Sequence, residues 1–317
     1  MPPIIRMVNL TKKFGNLVAV DHLNLEVEEG EILGFLGPNG AGKTTTMLML
    51  MTVIRPTEGT AFVGPYEVTK EPDKARTLIG MAFQEPKLLW VDTPWDALNW
   101  HAKVCGLSSE ERKKRVRWAL EELELWEHRL KSIHDFSGGM RKRVEIAKIL
   151  IQRPKIAIVD EPTAQIDVVG KHKIWNMLRA LRDEGSTILL ATNDLHEADL
   201  LSDRVAIMHK GKLLVCDEPQ RLKDNIPGGD VVELTLEDKV PEKVIEKLRD
   251  IPRVADVSVK QNRLKIYLNQ AEEALPKITE LFMAAKIPLR AINMSEPSLD
   301  DVFAHYTGLT IEEAQRE

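Results

Sequence analysis

The sequence predicts an α/β core that carries a helical insertion, followed by a small α+β domain of ferredoxin-like order. Three observations lead there. Residues 32–36, 156–159 and 187–191 are short, almost wholly apolar runs, as parallel strands covered on both faces require. The long stretch between the first two runs has helical periodicity, clearest over residues 110–126, so a helical insertion is expected over about 86–140. The third observation is a break at Ile226-Pro227-Gly228-Gly229-Asp230, after which the pattern changes.

Beyond that break, residues 231–237 alternate as a strand and residues 241–249 are helical, with Pro241 at the start. Residues 254–260 and 263–269 read as strands joined by Gln261-Asn262, a hairpin spacing. Residues 271–286 are helical, 288–293 strand-like and 297–305 helical again. The order βαββαβ plus a final helix is that of a split βαβ unit. Its core is expected from the strand faces Val232, Leu234, Leu236 and Leu264, Ile266, Leu268. A chain of 317 residues exceeds what one core usually supports. The domains are therefore drawn at 1–226 and 230–317.

With Lys+Arg 44 against Asp+Glu 49, the formal charge is -5, so no basic excess points to nucleic acid. Cys105 and Cys216 stand far apart in no metal-ligand spacing and read as reduced thiols. No apolar run approaches the roughly 20 residues that cross a bilayer, and the N-terminal MPPIIRMVNLTKKFG lacks a signal-peptide core. The chain is expected in the cytoplasm, reaching a membrane only through another protein.

The strongest chemical signal is Gly37-Pro38-Asn39-Gly40-Ala41-Gly42-Lys43-Thr44, followed by Thr45. It sits between an apolar strand and a helix beginning near Lys43, the context a Walker A loop requires. Glycines let backbone N–H groups wrap phosphates, Lys43 supplies a cation for the β- and γ-phosphates, and the Thr44 hydroxyl can ligate Mg²⁺. A second element, Ile156-Ala157-Ile158-Val159-Asp160-Glu161, delivers two carboxylates at a strand end. Asp160 is placed to hold Mg²⁺ through water and Glu161 to act as a general base on water. Phe136-Ser137-Gly138-Gly139-Met140 precedes another helical run, and a serine with two glycines at a helix N-terminus forms a second anion device. One chain with two phosphate devices points to a shared site.

Walker A, then Gln84, then Ser137-Gly138-Gly139, then Asp160-Glu161, then Asp167, in that order, resembles the nucleotide-binding subunit of ABC transporters over residues 4–220. The resemblance implies a P-loop NTPase core of ABC type with a helical signature subdomain. It also implies ATP hydrolysis with Mg²⁺, and two subunits closing head to tail so that the signature of one covers the γ-phosphate held by the other. Carried over by position, Phe14 stacks on adenine, Gln84 senses Mg²⁺ and the water while contacting the membrane partner, and Asp167 bridges the two sites. The SGGMRKR wording and the tail Glu296-Pro297-Ser298-Leu299-Asp300-Asp301-Val302-Phe303 are similar to daunorubicin-resistance-type exporter ATPases. This implies export through a separate transmembrane permease, with the motor held at the inner face of the membrane. Its partner across the ATP would be a second copy or a close homologue, and nucleic acid is not expected. Asn193 departs from the family, which usually places a histidine there against the γ-phosphate; His196 is expected on a helix surface instead.

Met47, Met49 and Met51 are expected to pack as core, and the charged run 110–117 to be a solvated face. Trp90, Trp95 and Trp100 fall where the family forms its groove for the membrane subunit. The tail beyond residue 230 carries no catalytic constellation and is expected to be regulatory or dimer-stabilising.

Overall fold

The computed structural model describes residues 2–88, 91–237, 240–260 and 262–316. Trp90 and the hairpin residue Gln261 lie outside the described residues. The chain divides into two compact units, Met1–Cys216 and Asp217–Glu317.

The first unit holds two sheets. Strands β1 (Ile5–Phe14), β2 (Leu17–Val27), β4 (Glu58–Val63) and β5 (Tyr66–Glu67) form one, in the order β2-β1-β4-β5. Its paired strands run antiparallel. The other contains β3 (Ile32–Leu36), β6 (Ile79–Ala82), β7 (Ile156–Asp160), β8 (Thr187–Thr192), β9 (Arg204–His209) and β10 (Lys212–Asp217), in the order β10-β9-β3-β8-β7-β6. Pairing is parallel from β9 through β3, β8 and β7 to β6.

The apolar runs are continuous because the pleat sends alternate residues into two different cores. Leu33, Phe35, Ile156, Ile158 and Leu189 join Met47, Met49 and the strand residues Met7, Leu10 and Leu23. Ile32, Ala157, Val159, Ile188 and Leu190 join Leu98, Val116 and Leu120 of the helical insertion and Val144 of the helix that follows it. Each fully buried aliphatic side chain contributes about 1.5–3 kcal/mol, so both faces of these strands favour apolar residues between their polar ends.

The insertion contains the helices Pro94–Val104 and Ser109–Glu122 and leads into the helix Gly138–Gln152. The helix over 109–122 stops short of the expected 126 because Glu124 takes a left-handed φ of 58° and the chain turns into a short 3₁₀ segment, Trp126–His128. Trp95 packs edge-on against Trp126 with ring centroids 6.0 Å apart, whereas Trp100 is 68% exposed.

The second unit begins before the glycine break. Its helix Pro219–Asp224 packs with the helix Leu299–Thr307, and Leu222 and Ile226 are buried. That burial ties residues 217–226 to the C-terminal unit. Strands β11 (Asp230–Leu236), β12 (Val254–Lys260), β13 (Arg263–Leu268) and β14 (Leu289–Ser295) run in the order β12-β13-β11-β14, the ferredoxin-like arrangement. Val232, Leu234, Leu236, Leu264, Ile266 and Leu268 form its core with Ile245, Leu248, Ile278 and Phe282. A capping box of Ser298 and Asp301 starts the helix Leu299–Thr307, and Asp301 also accepts hydrogen bonds from Lys265 and Tyr267 of β13 at 2.8 Å each.

Candidate functional site

Four parallel strands end side by side: Leu36 pairs with Thr192, Asp160 with Ala191, and Ala82 with Val159. Ligand sites form at such carboxyl ends, because the connections leaving there are the ones free to vary. β3 feeds the loop 37–42 and the helix Lys43–Leu50; β7 delivers Asp160 and Glu161; β8 leads to Asn193; β6 leads to Gln84.

The loop wraps its own lysine. Lys43 is 6% exposed and its Nζ donates to the carbonyls of Gly37 and Pro38 at 2.6 and 3.1 Å. Gly42 has φ 103°, and a Cβ there would collide with the Ala19 carbonyl, so only glycine closes the turn. Thr44 Oγ1 donates to Asp160 Oδ2 at 2.9 Å, and Gln84 Nε2 donates to Glu161 Oε2 at 3.0 Å. A hydroxyl, a carboxylate and the amide oxygen of Gln84 are hard oxygen donors, a set that suits Mg²⁺.

Two buried carboxylates face two buried ammonium groups here. Burial pushes the Asp160 and Glu161 carboxyls up, while Lys43 and Lys142 pull them back down. Burial lowers Lys43, and it pushes Lys142 down to about 8. Glu161 has φ 47°, a left-handed conformation costly for a side chain with a Cβ. Its N–H donates to the Ala191 carbonyl at 2.8 Å, which helps to hold that geometry.

Ser137 caps the helix Gly138–Gln152, its Oγ accepting from Met140 N–H at 3.2 Å. A Cβ on Gly139 would lie 3.2 Å from the Gln165 carbonyl oxygen, so this glycine lets the signature loop and the loop before Asp167 approach. Asp167 in turn caps the helix Val168–Asp183 through Gly170 N–H at 2.8 Å. Phe136 is buried beneath the signature and Met140 packs partly against the same core. Phe14, at the end of β1, is 48% exposed, with Lys12 Nζ lying 5.0 Å from its ring centroid. Asn193 follows β8 directly; Asp194 caps the next helix and pairs with Lys171 at 2.7 Å, and His196 is exposed.

Residues 20–164 match the ABC transporter family, and residues 218–307 match the C-terminal domain described as ATP-binding protein DrrA1-3-like. The chain is 31% identical over 310 residues to the linearmycin resistance ATP-binding protein LnrL of Bacillus subtilis, spanning 97% of this chain and 99% of that one. It is 32% identical to the daunorubicin resistance ATP-binding protein DrrA2 of Streptomyces coeruleorubidus, spanning 96% and 95% of the two chains. The chain belongs to the ABC transporter family. Its fold is similar to that of a dimeric ATP-binding cassette solved in a post-hydrolysis state with ADP and Pi, with TM-score 0.63 and 28% identity over 68% of this chain and 98% of that one. This ABC subunit is an ATPase that powers movement through a separate membrane-spanning partner. Among its described residues no helix is long and apolar enough to cross a membrane.

Sequence reasoning missed buried charges in this ABC subunit. Lys142 and Glu145 are 2% and 0% exposed on the signature helix. Glu197, 1% exposed, accepts from Thr163 Oγ1 at 2.8 Å and Trp175 Nε1 at 2.9 Å, fastening the segment after Glu161. The available signal was Glu145 and Lys148 standing inside the run Val144-Glu145-Ile146-Ala147-Lys148-Ile149-Leu150-Ile151, whose other residues are all apolar.

Proposed function

We propose that the chain binds Mg-ATP between two copies of itself, or with a close homologue, and couples its hydrolysis to export through a transmembrane permease at the inner face of the membrane. The convergence of Gly37–Thr44, Asp160-Glu161, Gln84 and Asn193 at adjacent strand ends carries this reading.

In it, the loop Gly37, Pro38, Asn39, Gly40, Ala41, Gly42, Lys43, Thr44 and Thr45 binds the phosphates, with backbone N–H groups from every one of these residues except Pro38 to cradle them. Thr44, Asp160 and Gln84 hold Mg²⁺, which supplies neutralisation of charge developing on the phosphate oxygens. Glu161 accepts the proton of the attacking water, aligned by Gln84. Ser137, Gly138 and Gly139 of the other copy cover the γ-phosphate, Asp167 joins the two sites, and Phe14 stacks on adenine. Relatives described as resistance, export or transport proteins support the direction. Among them is the bacitracin transport ATP-binding protein BcrA of Bacillus licheniformis, 33% identical over 97% of this chain.

Asn193 stands where the family places histidine. Its amide donates a hydrogen bond but is shorter and never charged, so its contact with the γ-phosphate is weaker or runs through water. Losing one transition-state donor outright costs about 10²–10³ in kcat, and a partial replacement costs less. Steady-state Mg-ATP hydrolysis is expected to rise in Asn193→His and fall in Asn193→Ala. Equal rates in all three would remove position 193 from the mechanism.

Residues 230–317 act as an accessory module that tunes dimerisation or coupling. Every residue of the proposed ATP site lies in the first unit. A chain ended at Cys216 is therefore expected to keep full affinity for a fluorescent ATP analogue. Loss of binding by a truncation that still melts cooperatively would show that the tail takes part in the site.

A further inference from the structure

The helix that starts at Ser137 carries Lys142, Glu145 and Lys148 at three-residue intervals, and so on one side. That side grips the backbone running through Gln84. Lys142 Nζ donates to the Phe83 carbonyl at 2.8 Å, the Gln84 carbonyl at 3.1 Å and the Asp160 carbonyl at 2.9 Å. An ammonium has three donors, and all three are directed at main-chain oxygens. Glu145 accepts from Phe83 N–H at 3.4 Å and from Lys148 Nζ at 2.8 Å, and Lys148 also donates to the Lys87 carbonyl at 3.2 Å. Both polar groups of Phe83's main chain thus belong to this helix.

Lys142 is 2% exposed, so its charge is taken out of water, a cost that protein interiors tolerate only where the charge is fully hydrogen-bonded. The groups it holds account for that cost. Gln84 donates to Glu161 at 3.0 Å, and Glu161 immediately follows Asp160. One ammonium therefore anchors the main chain on both sides of the Gln84–Glu161 contact. Glu161 sits at φ 47°, a conformation that persists only when its surroundings determine it. The Lys142 bond to the Asp160 carbonyl and the Glu161 N–H bond to Ala191 hold the peptide that joins Asp160 to Glu161.

We propose that Lys142 is a positioning residue for hydrolysis: anchored in the signature helix, it sets Gln84 against Glu161 and thereby aligns the attacking water. Its three donors are taken up by main-chain carbonyls, so it acts through Gln84. The proposal rests on Glu161 being the general base and Gln84 the group that aligns its water.

The test is a double-mutant cycle on the full chain with Mg-ATP, measuring kcat, KM and the Kd of a fluorescent ATP analogue. Lys142→Met, which keeps the unbranched stem and removes the donors, is expected to lower kcat on the order of 10–100-fold, the usual cost of removing a partner that orients a site group. KM and Kd should stay within about twofold of wild type. In a Gln84→Ala background the same substitution is expected to cost almost nothing more, because the group it positions is gone. Lys142→Arg, which restores donors, should recover part of kcat. An equal loss of kcat in both backgrounds, a rise in Kd matching the loss, or an unchanged kcat in a protein with wild-type melting would each overturn the proposal. Should Lys142→Met fail to fold, the cycle is run with Lys142→Gln and Lys142→Arg under the same criteria. Glu161→Gln is measured alongside: wild-type hydrolysis there would sink the parent reading, independently of the Lys142 result.

Discussion

Glu161→Gln is expected to lower steady-state ATP hydrolysis by about 10²–10⁴, the usual contribution of a general base, while ATP shifts the protein from monomer to dimer on a sizing column. The amide preserves the shape at Glu161 and leaves the Walker A loop intact, so binding survives while water is no longer activated. Two phosphate devices on one chain then trap each other's nucleotide. A monomer peak unchanged by Mg-ATP would count heavily against the composite site. The pH profile adds a second check. Burial raises the Glu161 carboxyl above the ordinary glutamate value. Its deprotonated, proton-accepting form is therefore lost as pH falls through that raised value, and the acid limb of kcat should lie above the ordinary glutamate value. In Glu161→Gln the limb should flatten.

Lys43→Ala should act one step earlier and abolish measurable ATP binding at ordinary nucleotide concentrations. The lysine is buried with its Nζ held by Gly37 and Pro38 carbonyls, so the cation is fixed where phosphate enters the loop. A hydrogen bond to a charged group is worth about 1.5–3 kcal/mol. Losing contacts to two phosphates should raise Kd at least on the order of 10²-fold. Isothermal titration with the ATP analogue reads this directly. Lys43→Ala with wild-type affinity would mean that the loop's N–H groups alone bind the phosphates and that the electrostatic role is misassigned.

Much of the fold was legible because its signals are local. Ile32–Leu36 had to be a doubly covered strand from its unbroken apolar run, and residues 254–260 and 263–269 announced a hairpin by their spacing. The alternation through Leu23, Leu25 and Val27 was equally legible, yet the antiparallel sheet it belongs to was not drawn. That sheet pairs β1 with β4 across a sequence gap that includes the Walker A loop and its helix. Periodicity reports which face is apolar, not which distant strand will lie beside it. The glycines at 228 and 229 looked like the boundary, but burial of Leu222 and Ile226 moved it earlier.

The sequence by itself determined the family, the parallel core, the ferredoxin-like tail and the motifs that arrive at the strand ends. Each is encoded in contiguous residues: a glycine where φ must be positive, a lysine at a helix start, carboxylates after an apolar strand. Only the tertiary structure decided how these pieces hold one another. In sequence Lys142 is one of three consecutive basic residues, Arg141-Lys142-Arg143, near the start of a helical run; in the fold it is buried against three carbonyls from two separate segments. Glu197 likewise becomes a fastening point only once Thr163 and Trp175 are brought to it. Burial and hydrogen-bond partnership across long separations belong to the packed chain, because they depend on which surfaces exclude water together.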